Sequence, residues 1–513
     1  MKKLNKLTSL FIAAGSLAVM NMGCAKIDQF GDTNVNPLAA SQPITSALIT
    51  SAESGLGNNV TGTATATGGI LSGMFAQYFS ETQYPDGSLY SEPKWDATTV
   101  YATSIEDAQV VINKNSDPAV KGNFTASGSN ANQIAVARIL KDYYIWTVTD
   151  RWGDVPYSEA LQGSVIPYPK YDKQEDIYKG LIADLTAAVA GFDGGAAVKG
   201  DITSYAGSNA KWKKLANTLR MSMALRLSKR YPAAGDYAAT QFAAAFADGA
   251  GYIASNADNW SLLFPSDGTY LNTWYAIYDG RSDYAFSKTV YDAFTNLGDT
   301  RQSVLASSNV PMPYGLNQAN ANAFTGANPT YARVFVPSLR TKGSPITIVE
   351  ASITLLNIAE AIERGWVTGN AQTFYEAGVT ASFDQWGLTV PAAYLTTGPA
   401  NYTTGTGAGS IGQNIYGSIP ASQNGNTASK LDRIALQKWL AHFPNGIQAY
   451  SDWRKSGIPN LQPTAQANNS GQGIPRRYVY GVNEYSYNPT GVNAAAARLS
   501  GGDKMTSKVW WDN

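Results

Sequence analysis

Five acidic residues, Asp142, Asp150, Asp154, Glu350 and Glu360, are the side chains in this sequence best placed to suggest chemistry. Two carboxylates that meet across a glycosidic bond can hydrolyse it as acid and base or nucleophile, and such a pair needs no local signature. Their surroundings argue for structural work. The run Asp150-Arg151-Trp152-Gly153-Asp154 reads as a helix end and turn held by side-chain to backbone hydrogen bonds. Glu350 and Glu360 lie in an otherwise apolar helical stretch, where a carboxylate must find internal partners. No phosphate-binding loop, nucleophile elbow or EF-hand occurs. The single histidine, His442, excludes a site built on two imidazoles.

Aromatic rings are the second candidate. The chain of 513 residues carries 30 Tyr, 16 Phe and 12 Trp. Flat faces with polar tips suit sugar rings as well as cores. One group, with Tyr84, Tyr90 and Trp95, surrounds the turn Tyr84-Pro85-Asp86-Gly87; a second, with Trp274, Tyr275 and Tyr278, falls between Asp267-Gly268 and Asp279-Gly280. Rings on loops are harder to bury, so these six are the candidate ligand contacts. The competing reading makes them glue between loops and body. Trp510 and Trp511 are expected to clamp the carboxyl terminus, and Trp152, Trp212, Trp366 and Trp439 to lie in the core.

Charge excludes one class of partner. Lys plus Arg and Asp plus Glu are both 38, for a formal net charge of zero, so nothing draws the chain to a nucleic acid. The only cysteine, Cys24, leaves no disulfide framework and no thiolate metal site. It follows a basic start with Lys2, Lys3 and Lys6 and an apolar run from Leu10 to Met20, too short for a bilayer that needs roughly 20 residues. That layout is a signal peptide over 1–23, with Cys24 the expected site of lipidation. Asn21 stands where such lipoproteins usually carry an apolar residue. The alternative is an ordinary signal peptide with a cysteine near its cleavage point.

Residues 24–44 read as a polar tether, and 45–513 as one continuous body with ligand-facing loops. Apolar spacings of three and four predict helices through Ala137, Leu140, Tyr144 and Val148, through Ile177, Leu181, Leu185 and Ala188, and through Leu215, Leu219 and Met223. Helices are also expected over 45–56, 71–83, 100–113, 349–363, 371–383 and 431–442. Long Gly, Ser, Thr and Asn-rich connections separate them, the longest over 385–429, where Ala392–Thr396 and Asn414–Gly417 are candidate short strands. The fold class is therefore mostly α, a tetratricopeptide-like scaffold of helical hairpins with long irregular loops and a few short strands.

Short segments in a fixed order carry a resemblance. They are GDTNVNP at 31–37, ARILKDYY at 137–144, TDRWGDVPY at 149–157, WKKLAN at 212–217, LNIAEA at 356–361, IPRRY at 474–478 and VWWD at 509–512. With them the chain resembles the SusD/RagB family of Bacteroidetes surface lipoproteins, in its SusD-like branch. The resemblance implies a binding protein, not an enzyme, lipid-anchored at the outer membrane and exposed on the cell surface. Its partner would be a SusC-like TonB-dependent transporter, which it covers as a lid, and its ligand a glycan or, alternatively, a peptide. A secreted glycosidase is the alternative of a different class. No cofactor is expected, and a calcium ion among loop carboxylates is left open. The matching segments would be scaffold, so none is carried over as a ligand contact.

Overall fold

Capping residues set the helix boundaries that periodicity alone leaves open. In the computed structural model, which describes residues 44–60, 68–91, 97–404 and 429–513, Ser129 Oγ accepts from Asn132 N and starts the helix Asn130–Trp152. Gly153, at φ +90°, ends it. Asn370 caps Ala371–Asp384, Ser429 and Asp432 form a reciprocal capping box on Lys430–Ala441, and Asn445 caps Gly446–Ser456. Cys24, Trp95 and the candidate strand Asn414–Gly417 lie outside the described residues.

Successive helices pack against one another in pairs. Asn130–Trp152 lies between Glu106–Ser116 and Gln174–Gly191, which in turn packs on Asn209–Arg226 and through it on Tyr237–Phe246. A second run joins Ala351–Glu363 with Ala371–Asp384, Lys430–Ala441 and Gly446–Ser456. Flanked in this way, Asn130–Trp152 is buried around most of its circumference, and several of its polar groups find partners inside the protein. Asp150 accepts from Tyr178 and from Trp511 Nε1, and Arg151 Nε donates to Thr147 O. The two runs form the mostly helical, tetratricopeptide-like scaffold that the periodicity predicts. Trp511 is fully buried and Asp512 is held by Lys229 and Arg476, so the terminus is clamped as expected.

Close helix approach fixes one position outright. A Cβ on Gly446 would stand 2.3 Å from Gly73 N and 2.5 Å from Gly69 O, so the helix Gly69–Phe75 crosses Gly446–Ser456 backbone to backbone.

The structure corrects two elements. The helix expected over 71–83 stops at Phe75; Tyr78 N donates to Gly73 O, Gln77 takes a positive φ, and Phe79–Glu81 becomes a strand paired antiparallel with Tyr284–Phe286. Apolar spacing could not see this, because the strand partner lies far along the chain. Ala392–Thr396 forms turns, with Tyr394 buried and its hydroxyl on Asp299. Among the described residues the other strand pairs are Val155–Pro156 with Tyr171–Asp172 and Trp260–Leu262 with Ile346–Val349.

Candidate functional site

The pairing of Trp260–Leu262 with Ile346–Val349 draws the chain before Ile346 alongside the chain after Leu262. Between them sits the short helix Thr273–Tyr278. Asn272 staples it: its Oδ1 accepts from Tyr275 N at 2.9 Å, its Nδ2 donates to Ser344 O at 2.7 Å, and its own N donates to Lys342 O at 3.2 Å. At the far end the Tyr278 hydroxyl donates to Tyr284 O and accepts from Val334 N. With both ends tied, Trp274 is driven inward against Phe79 and Phe335, and Tyr275 and Tyr278 border an open cleft.

That cleft has a volume of about 500 Å³ and is lined chiefly by Ser266, Tyr275, Tyr278, Asp279, Arg340 and Lys342. The Arg340 guanidinium lies 4.5 Å from the centre of the Tyr278 ring, with Nε donating to Phe335 O. Arg333 approaches the same ring at 6.0 Å and Lys342 approaches Tyr275 at 5.7 Å. Burial raises the Tyr278 hydroxyl above its ordinary range, so it stays a neutral donor at physiological pH. Burial, with the like charge of Arg333, lowers Arg340 from its ordinary range. A guanidinium does not lose its proton under such pressure; it remains a charge short of compensation.

Of the six ring candidates, the structure brings Tyr275 and Tyr278 together in this cleft. Tyr84 stands apart but close by. The strand pair Phe79–Glu81 with Tyr284–Phe286, extended by Thr82 bonding Asp283 O and Ser282 O, sets its turn beside the turn from Asp279 to Asp283. Tyr84 is 69% exposed. Two candidates are corrected. Tyr90 is fully buried, edge-on to Phe75, and Trp274 is 2% exposed on a helix instead of a loop. Neither face can reach a ligand at the surface, because the turn and the helix fold back onto the core.

The five carboxylates do not converge. Asp142 is buried near Asp184; Asp154 holds Arg498 and Gln174 N; Glu360 is shared by Lys438, Lys455 and Arg364. Glu350 is 3% exposed at the wall of a separate cavity of about 240 Å³ behind Trp274, and burial pushes its carboxyl up to about 8. None of the five is in the lining of the cleft. Among the described residues, no group of three His, Cys, Asp or Glu is placed to hold a metal, and no helix is long and apolar enough to cross a membrane.

Sequence reasoning missed Arg340 and Lys342. Nothing local marks them, since they reach Tyr275 and Tyr278 only through the Trp260–Leu262 strand pairing and the Asn272 bonds. A further groove of about 640 Å³, bordered by Arg138, Lys141, Tyr157 and Asp184, lies on the helical scaffold.

Known proteins place the chain. A SusD-like family profile, described as starch-binding and associating with the outer membrane, matches residues 37–481. No curated protein matches it. A structure described as a chitin-binding protein is 28% identical, with 91% of this chain and 98% of that one covered and a TM-score of 0.69. A chitin-binding SusD homolog from Flavobacterium johnsoniae is 25% identical over 91% and 98%, with a TM-score of 0.71. A SusD homolog from Parabacteroides distasonis, 22% identical over 92% and 98% with a TM-score of 0.74, shares the fold. A profile match over most of the sequence and paired helices of the same arrangement lead to one conclusion: the chain belongs to the SusD-like family.

Proposed function

We propose that the protein captures a glycan at the cell surface in the cleft beside Tyr275 and delivers it to a TonB-dependent transporter of the SusC kind, which it covers as a lid. The observation that carries this reading is an open cleft of about 500 Å³ whose wall includes the ring of Tyr275, with polar and charged groups around it. An aromatic face accepts the apolar side of a sugar ring, and convergent donors fix its hydroxyls. The family's description as starch-binding and the chitin-binding relatives support a saccharide as ligand. Tyr84, exposed on the neighbouring turn, offers a second contact to a longer chain.

Binding without turnover is the chemistry we assign. The five candidate carboxylates are buried or ion-paired away from the cleft, and Asp279 is the carboxylate among its lining. Acylated Cys24, with the tether over 24–44, would hold the body at the outer membrane while leaving it slack to swing. Several acyl chains anchor firmly where one does so only marginally.

Affinity electrophoresis through gels containing polysaccharide tests the reading. Retardation of the wild type that falls in Tyr275→Ala supports it. Unretarded protein, or capture of peptides from a defined pool in preference to oligosaccharides, contradicts it.

A further inference from the structure

We propose that the Tyr275 cleft is built for an acidic sugar, with Arg340 and Lys342 receiving a carboxylate or sulfate carried on the ring. This rests on the glycan reading and narrows it to a substrate class.

Three cations, Arg333, Arg340 and Lys342, surround the two tyrosine rings, and none has a carboxylate within 4.0 Å among the described residues. Asp279 is the one acidic residue in the lining. Several other cations of the chain are neutralised by an ion pair. Arg281 pairs with Asp283 on the adjoining turn, Lys288 with Asp292, and the buried Lys438 and Lys455 with Glu360. Arg340 and Lys342 thus bring two cations without ion pairs to the lining of one cleft, and Arg333 stands 6.0 Å from the centre of the Tyr278 ring, in a protein with 15% charged residues and no net charge. Arg333 adds a buried Nε without a hydrogen-bond partner.

Geometry specifies what the cations would take. Arg340 is held by its Nε bond to Phe335 O and by the Tyr278 ring, and its terminal nitrogens make no hydrogen bond among the described residues. A fixed guanidinium edge matches a planar carboxylate through two parallel bonds, and the Lys342 ammonium is a point charge suited to either anion. A neutral sugar on Tyr275 would gain ring contact and leave these charges unanswered. An anionic substituent gains charge-assisted hydrogen bonds in addition. Lys342 is exposed, so part of that gain is screened by salt over roughly 8 Å at physiological ionic strength.

The test is titration calorimetry with four probes: oligogalacturonate, a sulfated oligosaccharide, a neutral chitooligosaccharide and a glutamate-rich peptide. We expect an acidic oligosaccharide to bind about tenfold or more tighter than the neutral one, an advantage that shrinks as salt rises. Preference for the galacturonate assigns a carboxylate, and preference for the sulfated probe a sulfate. R340Q with K342Q should erase the preference, and R340K with K342R should retain most of it, which separates lost charge from a damaged fold. Equal binding of neutral and acidic oligosaccharides, or a preference that survives R340Q with K342Q, overturns the inference and leaves the glycan reading standing. Failure of every oligosaccharide, with or without binding of the peptide, overturns both.

Discussion

The Arg340 guanidinium lies 4.5 Å over the ring of Tyr278, whose hydroxyl is itself tied to Val334 N and Tyr284 O. The ring therefore positions a cation, and the hydroxyl fixes the ring. Tyr278→Phe keeps the first role and loses the second, so it should lower stability by about 1 kcal/mol with ligand affinity nearly unchanged. Tyr278→Leu should weaken affinity several-fold as Arg340 loses its support. Thermal melts and titrations of the two variants read the two effects separately.

Gly446→Ala should destabilise by about 1 to 3 kcal/mol or more, because its methyl group meets helix backbone at Gly73 and Gly69 that cannot give way. Gly326→Ala is the contrast. That glycine lies in the helix Gln318–Ala327 with nothing within 4 Å of an added Cβ, and alanine should stabilise by about 0.5 kcal/mol. Chemical denaturation of both variants checks the sign of each change.

Much of the scaffold was legible because its helices announce themselves locally. The spacing of Ala137, Leu140, Tyr144 and Val148 is read within a single stretch of sequence. The strand Phe79–Glu81 was not legible, since three residues carry no period and the partner is at Tyr284–Phe286. The site divides in the same way. Tyr275 and Tyr278 stood out as clustered rings near turns, yet the helix that turns Trp274 inward depends on Asn272 reaching Ser344 O. Tyr90 reads as a loop ring and is a core ring, because its turn folds onto Phe75 and Tyr314. Arg340 and Lys342 are ordinary in sequence and become distinctive only beside the rings.

Glu350 makes stability depend on pH. Burial raises its carboxyl from an ordinary 4.5 to about 8. Between these values the folded chain holds a proton that the unfolded chain has released, so stability falls as pH rises from about 4.5 to about 8. Glu81, pushed up to about 7 by burial, acts in the same direction. Glu53 and Asp142, also raised by burial, add to the slope, so Glu350→Gln should remove part of it and exceed the wild type in stability at pH 8 by a few kcal/mol at most. Melting temperatures at pH 5 and pH 8 decide it: an unchanged slope in the variant contradicts the assignment.

Cys24→Ala should leave the melting temperature unchanged and move the protein from the membrane pellet to the soluble fraction. Fractionation of cells expressing each form gives the answer. A variant that stays in the pellet contradicts anchoring through this thiol.

The central claim is that a saccharide occupies the cleft beside Tyr275. A crystal structure of the protein soaked with an oligosaccharide that it binds in solution tests this most directly. The account predicts sugar density against the Tyr275 ring, with an anionic group directed at Arg340 and Lys342. Density confined to the groove between Lys141 and Tyr157, or to any other surface, would contradict it.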